Sequence, residues 1–422
     1  MAEVFSNQKG SPIASKAKPF EAYVSNKTYK ISDQTRERCD IVENASDDTL
    51  QKYASISLEL FHYLYEVKHI DFTIYFKVGK TLIAYITPGD FNHELVRKIL
   101  IARNKDYDNL DICLRRDELE LFNSLIASIR DKKIHQLLKK DPHLDANTLK
   151  MFSNLSNASQ MVVKGGIDQR VALQAKEIAG QMIDSLMSSE IAVGTLSRMV
   201  HADPTLYDHS ASVAMIAGVI ANKLLDKPKH EAEKIALGGL YHDVGKTCVP
   251  CHILNKPGSF TKDEFDIMKT HTSLGYQELL SAIDQGAPIE QDVARVALEH
   301  HEKFKGGGYP DGKIGRLEER EDGIHEFARI VTIADVYSAL LMKRVYKEAF
   351  SVEKALEIMQ SASEDAYDPV IFKPFEANVN RSIKYYKLVE NMGKEKSKGR
   401  IIIMDEEKPK QKQKCSHYKK TS

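Results

Sequence analysis

A chain of 422 residues is longer than one ordinary domain and can bury two cores, so a catalytic unit with an accessory unit is the starting expectation. Lys plus Arg and Asp plus Glu each total 60, which excludes a coat for nucleic-acid polymers drawn in by a global basic field; an anionic ligand needs a local basic cluster. The five cysteines, at 39, 113, 248, 251 and 415, are odd in number and scattered, unlike the even framework of a secreted disulfide scaffold.

Residues 1–18 hold Ser, Lys, Asn and Pro without periodicity and without an apolar h-region, so they are expected to be disordered rather than a signal peptide. Residues 19–145 mix two periods and predict a small α+β accessory domain. Residues 71–78 alternate, with Phe72, Ile74, Phe76 and Val78 on one face, and a Gly79-Lys80 turn leads to a second strand over 82–87, which makes a hairpin. A helix over 93–103, a short strand over 110–114 and a longer helix over 118–140 follow. Residues 146–190 are expected to form a helical linker, within which Ser-Asn-Leu-Ser-Asn-Ala-Ser at 153–159 reads as a linker or a frayed helix end. From 191 to 390 nearly every stretch has helical period, punctuated by Pro204, Pro228, Pro250, Pro257 and Pro310. That pattern predicts an all-helical domain and a mainly α chain. Its most apolar stretch, 211–225, is too short to span a bilayer and carries Asn222 and Lys223, so no membrane association and a cytoplasmic place are expected. Residues 391–422 are a Lys-rich, basic tail expected to be disordered.

Nine of the fifteen histidines fall between residues 201 and 325. Within that span, Tyr241-His242-Asp243-Val244-Gly245-Lys246 ends the apolar run 235–240. A bare His-Asp pair reads as a capped helix end, but a carboxylate directly after a buried run is costly without a cationic partner. His300-His301-Glu302 ends another helical run and leads into Gly-Gly-Gly-Tyr-Pro-Asp-Gly at 306–312. Neutral imidazole is the common transition-metal ligand, the glycines let backbone approach a ligand, and Tyr309 before Pro310 can stack on a base or donate its hydroxyl. Asp335 lies in the apolar stretch 328–341, where a metal partner is a more economical reading than a buried salt bridge. His209 and His271 gain weight only as members of the set. Five imidazoles and two carboxylates in a helical domain suit two transition ions, iron, manganese or zinc, with Asp243 bridging, and the chemistry implied is phosphoester hydrolysis.

The motifs His-Asp-Val-Gly-Lys at 242–246, His-Thr-Ser-Leu-Gly at 271–275, His-His-Glu at 300–302, Gly-Gly-Tyr-Pro-Asp-Gly at 307–312 and Ala-Asp-Val-Tyr-Ser-Ala-Leu at 334–340 resemble, in order and spacing, the HD-GYP domain family. The resemblance covers about residues 190–375 and leaves 1–160 outside it. It implies an HD-type metallohydrolase over 191–390, with metal ligands His209, His242, Asp243, His271, His300, His301 and Asp335, and with Lys246 beside the metals on a scissile-phosphate oxygen. It also implies ligand contacts from Tyr309 and Pro310 in the loop, and from Arg344 and Lys347 on the phosphates; those two cations lie at i, i+3 on one helical face.

Three departures stand out. Three-metal members carry a Glu four residues before the first histidine, where this chain has Thr205, so two metals, iron or manganese with zinc as the alternative, are expected. Lys305 replaces the Asp common before the first loop glycine, which either loosens the loop or turns positive charge toward a phosphate. Residues 315–323 are longer and more charged than usual. Cys248-Val-Pro-Cys251 has redox-like spacing but no βαβ context, and reads as a pair of incidental thiols.

The activity implied is hydrolysis of cyclic di-GMP to linear pGpG, with GMP as the alternative end product, under control of the amino-terminal domain, which would also be the contact for a signalling partner. Asp243 and Lys246 would be the catalytic residues. The alternatives are a non-catalytic cyclic di-GMP receptor and a phosphodiesterase for another cyclic dinucleotide. Self-association of a linker helix over about 165–190 would give a homodimer.

Overall fold

The computed structural model describes residues 41–42, 44–56, 60, 63–64, 67–90, 110–186, 192–203, 208–254, 256, 258–316, 322–342 and 350–397. The helix predicted over 93–103, and the expected disorder of 1–18 and of 398–422, lie outside them.

Alternating side chains in the amino-terminal part build strands. Among the described residues these are β1 (Ile41–Val42), β2 (Tyr53–Ser55), β3 (His69–Ile70), β4 (Ile74–Val78), β5 (Thr81–Ile86), β6 (Gly89–Asp90) and β7 (Leu110–Arg115). A short helix, α1 (Asp47–Leu50), separates the first two. Five of the strands form an antiparallel sheet in the order β1-β5-β4-β7-β2, and β3 pairs with β6. The expected hairpin is β4 and β5 joined at Gly79-Lys80, with Phe76 opposite Ile83. Phe72, Ile74 and Phe76 are buried, as a period of two requires of one sheet face. That face packs on α2 (Leu119–Lys140), where Phe72 meets Phe122 edge-on at 5.3 Å.

From α2 onward the described chain is helical. α3 (Ala146–Gly165) starts at Asp145, whose carboxylate accepts from Asn147 N at 3.1 Å and from the Thr148 hydroxyl at 2.7 Å. Residues 153–159 lie in the middle of this helix, not in a linker or a frayed end. Leu149, Phe152, Leu155, Ala158 and Val162 form its buried stripe, and Ser153, Ser156 and Ser159 are buried beside them. The serines made the segment look like a loop. Their small size lets neighbouring helices approach, and the Ser153 hydroxyl donates to Asp131 Oδ1 at 2.6 Å.

α4 (Gln169–Leu186) and α5 (Ala192–Ala202) lead to α6 (His209–Val219), which is buried from Ala211 through Val219 and is therefore central. Around it pack α3, α7 (Lys229–Tyr241) and α12 (Glu326–Leu341). α8 (Cys251–Leu254), α9 (Lys262–Lys269), α10 (His271–Asp284) and α11 (Gln291–Glu299) follow α7 in the helical domain. α13 (Val352–Ala366) and α14 (Pro369–Ser397) close the fold, the latter tied to α12 by the buried pair of Arg329 and Asp368. α14 continues to Ser397, so residues 391–397 are helix and not the start of a disordered tail. Lys and Glu are good helix formers, and the stretch has no proline to stop it.

The chain is thus mainly helical, with an α+β region ahead of the helical domain, as expected from its periodicities.

Candidate metal centre

Five segments end or pass at one point. α6 opens on His209, directly after Asp208, whose carboxylate caps the helix by accepting from Ala211 N at 3.0 Å. α7 stops at Tyr241, leaving His242 and Asp243 at its carboxy end, and a 3₁₀ turn (Val244–Cys248) carries Lys246. That turn is pressed against the start of α10, which carries His271. A Cβ on Gly245 would stand 2.0 Å from His271 O and 2.4 Å from Gly275 N, so only glycine permits the approach. α11 ends in His300 and His301, and α12 places Asp335 in its middle.

The seven expected ligands fall into two groups, His209, His242 and Asp335 in one and Asp243, His271, His300 and His301 in the other, with the ligand atoms of each within 4.8 Å of one another. Asp243 faces both. Its Oδ2 lies 3.2 Å from His242 Nε2 and 3.8 Å from His209 Nε2, whereas its Oδ1 lies 3.5 Å from His271 Nε2 and 3.8 Å from His300 Nε2. Asp335 Oδ1 is 3.0 Å from His209 Nε2. Lys246 Nζ donates to Asp243 Oδ2 at 2.5 Å.

A cation fits this arrangement, and the reason lies in the second nitrogen of each ring. His242 Nδ1 donates to Gly239 O at 2.8 Å, His271 Nδ1 to Met268 O at 2.6 Å and His300 Nδ1 to Ala297 O at 3.0 Å. A carbonyl accepts only, so these bonds put the proton on Nδ1 and leave the Nε2 lone pair for the centre. His209 Nδ1 is held at 3.0 Å by the Ser338 hydroxyl. The Nε2 atoms of His271 and His300 then face each other at 3.4 Å as two lone pairs, a repulsive contact that a shared cation turns into ligation. His242 Nε2 and Asp243 Oδ1 are buried without a hydrogen-bond partner, another sign of a group that binds them.

Electrostatics favour the same state. Burial lowers the pKa of His271, pushes that of His300 well down and brings His301 to about 4, so these three imidazoles are neutral and ready to ligate at pH 7. Burial also opposes a charge on His242, but the Asp243 and Asp335 carboxylates outweigh it and raise its pKa. Burial disfavours ionised Asp243 and Asp335, yet neighbouring imidazoles, and Lys246 beside Asp243, hold both carboxyls well below the usual range.

The loop after His301 forms one wall. Tyr309 stacks on His301 with ring centroids 4.7 Å apart, Phe265 of α9 meets Tyr309 edge-on at 6.1 Å, and the Tyr309-Pro310 peptide is cis. Lys305 turns to Asp365 at the rim: its N–H donates to Asp365 O at 2.9 Å, and its ammonium lies 3.2 Å from the Asp365 carboxylate. Cys248 is an exposed free thiol. Arg344 and Lys347, Thr205, and residues 317–321 of the extended rim lie outside the described residues.

Sequence reasoning gave Asp208, Ser338 and Glu302 no role, although each touches the centre or its loop. Glu302 had a readable signal in its place beside the histidine pair.

The HD domain family matches residues 194–371. The chain is 30% identical over 299 residues to the cyclic di-GMP phosphodiesterase response regulator RpfG of Xanthomonas campestris pv. campestris, covering 69% of this chain and 73% of that protein. It is 35% identical over 305 residues to a cyclic di-GMP phosphodiesterase of Thermotoga maritima, covering 71% of this chain and 78% of that protein. A 3'3'-cGAMP-specific phosphodiesterase 3 of Vibrio cholerae shares 34% identity over 194 residues, 45% of this chain and 39% of that protein. Two relatives matched over more than two thirds of their length, and the motif residues meeting at one centre, make this chain a member of the HD-GYP family of HD-domain proteins.

Proposed function

We propose that this protein is a metal-dependent phosphodiesterase that opens cyclic di-GMP to linear pGpG. The observation that carries the reading is the pair of ligand groups on either side of Asp243, with imidazole lone pairs turned inward by carbonyls behind them. His209, His242 and Asp335 would hold one ion and His271, His300 and His301 the other, with Asp243 shared between them. Iron or manganese suits the mixed nitrogen and oxygen donors, with zinc as the alternative. Bound there, two ions supply Lewis-acid polarisation of a phosphoryl group and a water acidic enough to attack at neutral pH.

The remaining work belongs to the chain. Lys246, held at 2.5 Å by Asp243 and about one third exposed, turns a cation to the open side of the centre, where it neutralises charge building on a phosphate oxygen. Tyr309 and Pro310 wall the site and orient the nucleotide, with a base stacking against the Tyr309 ring. Arg344 and Lys347 carry the family's role of holding the ligand's phosphates. The amino-terminal α+β region would regulate the domain behind it.

Asp243→Ala removes the shared ligand. Hydrolysis, followed by chromatography of cyclic di-GMP and pGpG, is expected to fall at least a hundredfold, with bound metal reduced and the helical circular-dichroism signal retained. Full turnover in that variant would sink the mechanism.

A second reading, a preference for a hybrid cyclic dinucleotide, rests on the likeness to a 3'3'-cGAMP-specific relative. Cyclic di-GMP is preferred because the relatives matched over about 70% of this chain carry that substrate in their names. Competition between the two nucleotides separates the readings.

A further inference from the structure

We infer that Glu302 is a positioning residue, a clasp that sets Tyr309 over His301 and so determines how tightly the centre grips its nucleotide. The inference rests on the phosphodiesterase reading above and adds to it a residue outside the metal-ligand set.

Glu302 follows the two ligand histidines but does not join them. Its side chain is 2% exposed and turns away from the metals into the loop. One oxygen, Oε1, accepts from Asp311 N at 2.8 Å and from Gly312 N at 2.9 Å, so a single carboxylate oxygen closes the loop two and three residues after Tyr309. Burying a carboxylate is costly, and these two charge-assisted bonds to Oε1 offset part of that cost, while Oε2 is buried without a hydrogen-bond partner.

The loop's other end is fastened to the same segment. Tyr309 N donates to His301 O at 3.2 Å. Just before the Tyr309 fastening the backbone touches the His301-Glu302 main chain directly: a Cβ on Gly308 would meet Glu302 Cα at 2.4 Å and His301 O at 2.6 Å. The Tyr309 ring is therefore delivered onto His301, with centroids 4.7 Å apart, by a loop pinned on both sides. Without the Glu302 pin, the segment from 310 to 313 loses the buried acceptor for two N–H groups and swings into water, and the tyrosine loses its fixed angle. A stacking wall without a fixed angle costs binding before it costs chemistry.

The test uses the full-length, metal-loaded protein as wild type, Glu302→Ala, Glu302→Gln and Gly308→Ala. Gln retains the neutral Oε1 acceptor. Loss of two hydrogen bonds to a charged acceptor predicts a KM for cyclic di-GMP raised about tenfold or more in Glu302→Ala, with kcat within about threefold and metal content unchanged. Glu302→Gln is expected to stay within about twofold of wild type. Gly308→Ala, which displaces the loop while leaving Glu302 in place, should raise KM like Glu302→Ala and keeps the test open if that variant fails to fold.

A second readout needs no turnover. Trypsin should cut after Lys305 and Lys313, the lysines flanking the loop, about tenfold faster in Glu302→Ala and at the wild-type rate in Glu302→Gln. Wild-type protein inert toward cyclic di-GMP would overturn the assigned activity while the proteolysis still decides the clasp. Loss of metal or of kcat at unchanged KM, a Gln variant as damaged as the Ala variant, or unaltered proteolysis in Glu302→Ala would overturn the clasp.

Discussion

At the scale of single residues, protons and metal compete for the same atoms. In the metal-free protein His242 has a raised pKa because Asp243 and Asp335 overcome its burial, whereas burial keeps His271, His300 and His301 neutral. The sign of the linkage follows. Metal entry expels the proton from His242, so affinity rises with pH through the raised pKa of that ring and flattens above it. Calorimetric titration of metal into metal-free protein, in buffers of different ionisation enthalpy, is expected to report proton release that shrinks as the pH is raised. Heats independent of the buffer would mean that His242 is already neutral and that the two carboxylates are balanced by Lys246 instead. The candidate ligands were legible in the sequence, since a carboxylate or imidazole at the end of an apolar run has few structural uses. The atoms that orient them were not. Gly239 O and Met268 O are main-chain carbonyls, identical in chemistry at every position, and their role appears only when a helix end bends each ring back onto its own last turn.

At the scale of elements, the two ligand groups depend on one backbone contact, the 3₁₀ turn after Asp243 against the first turn of α10. Gly245→Ala places a methyl within 2.0 Å of His271 O and 2.4 Å of Gly275 N, both main-chain atoms that cannot rotate away. The turn must then withdraw and take Asp243 away from His271. The variant is expected to lose about 2–3 kcal/mol of stability in denaturant unfolding and to bind less metal than wild type. Unchanged stability with a full complement of metal would show that the turn has room to move. The sequence made the helices, the hairpin and its turn legible because their periods of 3.6 and 2 are strong. It obscured the middle of α3, because three serines on a buried face imitate a linker or a frayed end. Their burial is decided by what packs opposite, and a local pattern does not contain that.

For the whole molecule, the accessory sheet and the helical domain share one hydrophobic core. It runs without a break from Ile56 and Phe76 through Phe122 and Phe152 to Met215 and Phe375, and α3 is the element common to both sides. At that joint lies Arg130 of α2, 1% exposed. Its guanidinium donates to Asn157 Oδ1 at 2.8 Å, reaches Tyr63 OH at 3.4 Å, and counters the burial that raises the pKa of Asp208, the cap of the helix that opens on His209. One cation thus serves the amino-terminal region, α3 and the first helix of the metal centre. A continuous core with such a joint should unfold in one step. In urea, far-ultraviolet circular dichroism and tyrosine fluorescence are expected to report coincident transitions, and Arg130→Met, which keeps the bulk but removes the charge, should lower the unfolding free energy by about 3 kcal/mol without splitting them. Two resolved transitions in the wild type would show instead that the sheet is a separately folding appendage. In that case a signal arriving at residues 41–115 would have to reach His209 by some route other than the shared core.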